Sequence, residues 1–226
     1  MIGVFDSGDG GLCTVEKIRS LSADVDICFL ADRENAPYGT KTSYEITRLA
    51  KRNIKLLRDT GAEKILIACC SASSIYPLLS EDEKRISVPI IDATVRRAVQ
   101  KTKNAMIGVI STHLTARSGV FEKKIKELLP RAKVFTEPTQ ELVSLIESGV
   151  SDQNINGHTK EKIKKILSKI KNYPYDTLIL GCTHFPRLEK TISELTERDT
   201  VSSVLEGAKE ILNEVSGKGE GKIIFL

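Results

Sequence analysis

Two short stretches of this sequence set a thiol among small hydroxyl residues. Ala68-Cys69-Cys70-Ser71 follows the apolar run KILI, and Gly181-Cys182-Thr183-His184 follows TLIL. A thiol is inert in a core and reactive where a charge or a helix end favours its thiolate. Cys69 stands at a predicted strand end, just before a helix expected to start near residue 72. The positive end of that helix is expected to favour ionisation. Cys28 lies inside a strand-like run and Cys13 on an amphipathic helix, so both read as core filler. A redox or metal role for the adjacent Cys69 and Cys70 is disfavoured. Neighbouring cysteines bridge only with strain, and no further ligands lie nearby in sequence.

Two other strand ends carry small polar residues, Asp6-Ser7-Gly8 and Ser111-Thr112. Gly8, Gly10 and Gly11 do not form a phosphate loop. A dinucleotide fingerprint needs glycine where Cys13 stands, and no Walker lysine follows. They read instead as a tight strand-to-helix turn that presents Asp6 and Ser7. Ala36-Pro37-Tyr38-Gly39 reads from its pattern as a turn and nothing more.

The elements that must position these groups alternate. Strand-like runs fall at 2–5, 26–30, 64–68, 88–91, 106–110, 133–135 and 177–180. Amphipathic helices are expected near 11–21, 42–60, 72–79, 93–102, 115–129, 138–148, 158–171 and 187–197. Apolar strands alternating with helices predict an α/β fold with parallel sheets covered on both faces. An internal echo refines this. IGVFDSG at 2–8 resembles IGVIST at 107–112, and KILIACCSAS at 64–73 resembles TLILGCTHF at 177–185. The offsets are similar, so we expect two similar doubly wound parallel-sheet domains facing each other across a central cleft. The expected division is 1–94 plus 206–226 against 95–205, with the apolar tail GKIIFL, after a Gly-rich turn, adding a last strand to the first half. Ligands sit beyond the carboxyl ends of strands in such sheets, so the cleft should gather all four polar ends.

Composition excludes other classes. The 226 residues carry 34 basic and 30 acidic side chains, a weak excess that the lysine-rich stretch 160–171 largely accounts for. With no Trp and no basic–aromatic interleaving, a nucleic-acid module is unsupported. No apolar run reaches the ~20 residues of a membrane span, and the start lacks the pattern of an export signal. A cytoplasmic protein is expected. Five cysteines and three scattered histidines fit neither a disulfide framework nor a metal site.

At this point the motifs resemble a known family. DSGDGG, APYG, ACCSAS, LVSLIESG and GCTHFP are similar in order and spacing to those of the glutamate racemases, in the aspartate/glutamate racemase superfamily. The resemblance implies two α/β domains with the active site between them, and no pyridoxal phosphate, metal or nucleotide cofactor. It implies that Cys69 and Cys182 are catalytic, assisted by Asp6, Glu147 and His184. It implies that Ser7, Pro37, Tyr38, Gly39, Ser71, Thr112 and Thr183 hold the substrate, a small amino acid. Cys70 occupies a substrate-contacting position where the family has Asn in Ala-Cys-Asn-Thr. A thiol is a poor replacement for an amide, at roughly 1–3 kcal/mol for a lost buried hydrogen bond. Asp9 likewise replaces a small apolar residue of the family.

The implied reaction interconverts L- and D-glutamate by two-base proton transfer, supplying D-glutamate for peptidoglycan. Thiols from facing domains would serve the two faces of the α-carbon, one as thiolate and one as thiol. Asp6 would partner Cys69, with His184 and Glu147 on the Cys182 side. Other readings are a racemase or isomerase for aspartate or another small carboxylate, a superfamily decarboxylase or cis–trans isomerase, and a weakened binding or regulatory homologue. A homodimer is left open as the assembly.

Overall fold

The structure is a computed structural model that describes residues 1–215 and 219–226. Nine strands are assigned among the described residues: β1 Ile2–Asp6, β2 Ile27–Ala31, β3 Lys64–Ile67, β4 Ser87–Pro89, β5 Met106–Ser111, β6 Lys133–Pro138, β7 Thr177–Gly181, β8 Asp199–Ser202 and β9 Ile223–Phe225. They form two separate parallel sheets, ordered β4-β3-β1-β2-β9 and β6-β5-β7-β8. The α/β architecture of two parallel sheets with interleaved helices is the one expected. β1 and β7 are buried at every residue, as strands with both faces covered must be.

Three apolar clusters account for the layers. One joins Ile2 and Val4 of the first sheet to Val109 and Ile179 of the second through Val15, Val95, Ile125 and Ile211. Those four residues lie on the helices Gly10–Leu21, Ile90–Lys101, Val120–Leu128 and Ser203–Asn213. A second cluster buries Ile46, Leu49, Ile54 and Leu57 of the helix Ser43–Asp59 against Phe5, Ile65 and Ile67. A reciprocal capping box between Thr42 and Glu45 starts that helix. The third packs Leu142, Ile163 and Ile192 against Leu178 and Leu180. The two sheets thus share the core between them and carry separate outer layers.

The internal echo has a structural counterpart. In each sheet the paired motifs lie on adjacent strands. Phe5 sits opposite Ile67, and Ser111 opposite Gly181. Continuing each register by one or two residues sets Ser7 beside Cys69 and Thr112 beside Cys182.

Several expected boundaries shift. The run 88–91 is half strand and half helix, because Pro89 ends β4 and Ile90 starts the helix Ile90–Lys101. The helix expected over 72–79 shrinks to the single turn Cys70–Ser73 and a 3-10 turn at Tyr76–Leu78. The helix expected over 115–129 breaks at Gly119, whose φ of +64° is left-handed. The helix Glu81–Ile86, β8 and the helix Ser203–Asn213 were not anticipated. The tail does pair with β2 in the first sheet. Residues 216–218, in the expected Gly-rich turn and the first proposed domain, lie outside the described residues.

Candidate active site

All four polar strand ends open onto one enclosed cavity between the sheets. Its lining includes Ser7 after β1, Cys69, Cys70 and Ser71 after β3, Thr112 after β5, and Cys182, Thr183 and His184 after β7. Pro37, Tyr38 and Gly39 close one side, and Glu147 reaches it from the helix Gln140–Glu147. The cavity offers about 40 Å³ to solvent, room for a few waters. Twelve of the thirteen residues singled out from the sequence line it. Asp6 is the exception. It lies fully buried, behind Ser7, Gly8 and Thr183.

Around Cys69 the geometry is polar and tight. Its Sγ lies 3.4 Å from Ser7 Oγ. Asp6 Oδ1 accepts from the Gly8 amide at 3.0 Å, and Oδ2 accepts from Thr183 Oγ1 of the other half at 3.0 Å. Burial pushes the Asp6 carboxyl up to about 6, against the pull of those donors. Burial, and then the Asp6 charge, push the Cys69 thiol up to about 11. This corrects the expectation of a thiolate made by a helix end. The helix that starts at Cys70 is one turn long. Its dipole is too short to offset desolvation and a neighbouring carboxylate.

Cys182 is also pushed well up, chiefly by burial. Its Sγ lies 3.6 Å from His184 Nδ1. Burial foremost, then Arg187, holds the His184 imidazole down to about 4, so it is neutral at pH 7 and free to accept a proton. His184 Nε2 lies 3.4 Å from Glu147 Oε1 without forming a hydrogen bond to it. Gly10 makes this packing possible. A Cβ there would stand 2.5 Å from Thr183 Oγ1 and 2.7 Å from the His184 ring.

Ser71, Thr112 and Thr115 form a triangle of hydroxyls at 2.9, 3.2 and 3.0 Å that ties the halves together. Thr115 was not singled out from the sequence. Tyr38 lines the cavity, but its hydroxyl donates to Asp32 and lies 3.2 Å from Asn53 Nδ2. Cys70 lines the cavity and packs into the core shared by the sheets. Gln140 and Val143 also line it and were missed. They share a helix face with Glu147, at spacings of three and four residues, and that spacing is the signal that finds them. Among the described residues no group of three or more His, Cys, Asp or Glu side chains is arranged to hold a metal.

The geometry has close counterparts. The chain is 32% identical over 226 residues to a glutamate racemase of Aquifex aeolicus, covering 98% of this chain and 86% of that one. It is 37% identical over 196 residues to a glutamate racemase of Aquifex pyrophilus, covering 85% and 74%. The crystal structure of glutamate racemase isoform RacE1 from Bacillus anthracis superposes with a TM-score of 0.90 at 28% identity, covering all of this chain and 86% of that one. A glutamate racemase from Francisella tularensis, in complex with D-glutamate, gives 0.89 at 29%, covering 99% and 86%. Residues 14–211 match the family described as Asp/Glu/Hydantoin racemase. With the fold matched over its whole length and the strand ends gathered on one cavity, this chain is an amino-acid racemase and belongs to the Asp/Glu/hydantoin racemase family.

Proposed function

We propose that the protein interconverts L- and D-glutamate by two-base proton transfer between Cys69 and Cys182. The observation that carries this reading is that two thiols from matched strand ends of facing sheets line the same cavity. The glutamate racemases among its relatives, one holding D-glutamate, support the choice of substrate. In one direction a Cys69 thiolate takes the α-proton, and the electron pair stays on the α-carbon. The Cys182 thiol then delivers its proton to the opposite face, leaving a thiolate there. The reverse reaction exchanges the two roles.

Both thiols sit in surroundings that keep them protonated, so the thiolate forms only with substrate bound. An α-ammonium beside Ser7 brings the positive charge that this side lacks, and the Asp6 carboxylate behind it takes the Cys69 proton. On the other side neutral His184 accepts the Cys182 proton, and Glu147 faces the resulting imidazolium. The hydroxyls of Ser71, Thr112 and Thr183 are placed to hold the carboxylate as charge builds on the carbanion. A cavity this small must widen to admit an amino acid. Ala36–Gly39 forms one wall and the helix Gln140–Glu147 contributes to the other.

We take the halves as domains, 1–94 with 206–226 and 95–205. The place of β9 in the first sheet and of β5–β8 in the second supports this division. D-glutamate made in the cytoplasm would supply peptidoglycan. No described helix is long and apolar enough to cross a membrane.

Chiral chromatography of L- and D-glutamate, incubated with reduced protein and no added cofactor, tests the reading. Interconversion in both directions is expected. The rival is racemisation of the shorter aspartate. Turnover of aspartate with glutamate inert would establish that rival instead.

A further inference from the structure

Gln140 is a polar cavity residue without a partner. The other polar side chains of the lining have partners, although His184 Nε2 is likewise unpaired. Ser7 contacts Asp6 and Cys69, Ser71 and Thr112 contact each other, Thr183 donates to Asp6, and Tyr38 donates to Asp32. Cys182 and Glu147 both face His184. Gln140 Oε1, in contrast, is sealed from solvent with no hydrogen bond to any described residue. Gly39 closes over it from the first half. A Cβ at 39 would stand 2.9 Å from Gln140 Oε1 and 3.0 Å from Thr112 Cβ. A buried amide oxygen left unpaired in a ligand cavity is costly until it finds a partner.

Its position fits one part of the ligand. Gln140 begins the helix whose last residue is Glu147. Seven residues at 1.5 Å each put it roughly 10 Å along the axis from Glu147 and the His184 end of the site. We infer that Gln140 is a specificity-determining residue that hydrogen-bonds the distal carboxylate of the substrate side chain. The amide presents either its carbonyl or its two N–H donors by a half-turn of its last torsion, and a carboxylate takes the donors. A site built to bond a distal group rejects an analogue that lacks it. This inference rests on the racemase reading above and adds the group that chooses among amino acids.

The test pairs Gln140→Met, close in size but unable to hydrogen-bond, with Gln140→Glu, which sets a carboxylate against a carboxylate. KM and kcat are measured for glutamate and for norvaline, which lacks the distal carboxylate. The Kd of D-glutamate is measured by calorimetry, and thermal melts confirm folding. Gln140→Met is expected to raise the KM and Kd for glutamate about tenfold, with kcat changed less and norvaline turnover at or above wild type. Gln140→Glu should bind glutamate more weakly still. The inference is overturned if Gln140→Met leaves KM and Kd within twofold. It is also overturned if glutamate and norvaline turnover fall equally, or if the wild type turns over norvaline as well as glutamate. Should the wild type racemise no amino acid, the racemase reading fails alone. Calorimetry then decides: a weaker Kd in Gln140→Met upholds the contact, and an unchanged Kd or no binding by the wild type overturns it.

Discussion

Replacing Asp6 with Asn tests the electrostatics of the site through stability. The carboxyl is fully buried, and its pKa rises from 3.8 to about 6 on folding. Two pKa units correspond to roughly 3 kcal/mol. The folded-state pKa lies above the unfolded one, so the protonated group fits the fold better than the ionised one. The stability is fully present below pH 3.8 and is lost as pH rises through about 6. Asparagine does not titrate and carries no such loss. Relative to wild type, Asp6→Asn should therefore gain about 2 kcal/mol between pH 4.5 and 7.5, most of it by pH 6.5. For a chain of this length that is roughly 4–8 °C in melting temperature. Urea midpoints of both proteins at half-unit pH steps measure it. A wild-type-to-variant difference that stays flat across the range would refute the assignment of a desolvated carboxyl to Asp6. Racemisation should fall at least tenfold in the same variant at every pH.

Four further outcomes follow from the geometry. Cys69→Ser and Cys182→Ser should each lose more than a hundredfold in kcat, read by chiral chromatography, and near-full turnover by either would end the two-base scheme. Gly10→Ala should lose about 1–3 kcal/mol in urea unfolding and at least tenfold in kcat/KM, because its Cβ meets Thr183 and His184 at 2.5 and 2.7 Å. Gly8→Ala, with nothing within 4 Å of the new Cβ, should change stability by less than about 0.5 kcal/mol. The His184 imidazole should titrate near pH 4 by nitrogen NMR, and a midpoint above 7 would remove it as a neutral proton acceptor at pH 7.

Much of this protein can be read from its sequence because its signals are local. An apolar run followed by small polar residues defines a strand end whatever surrounds it, and such runs alternating with helices define a parallel α/β sheet. The repeated motifs with similar offsets identified matched strand pairs and the residues at their ends. What that reading misjudged depended on neighbours. Cys69 was expected to ionise because a helix follows it, but the thiolate is governed by burial and by Asp6, 63 residues away in the chain. Asp6 looks like a cavity residue in sequence and is a buried support reached through Ser7, Gly8 and Thr183. Gln140 and Thr115 lie outside the quoted motifs, and with Val143 they reach the site because the helix Gln140–Glu147 and the turn at Thr112 fold onto the cavity. Short-range pattern determined which residues end each strand. Only the packing of the two sheets decided how much water and charge each of them meets, because desolvation and Coulomb energy depend on distance in space rather than along the chain.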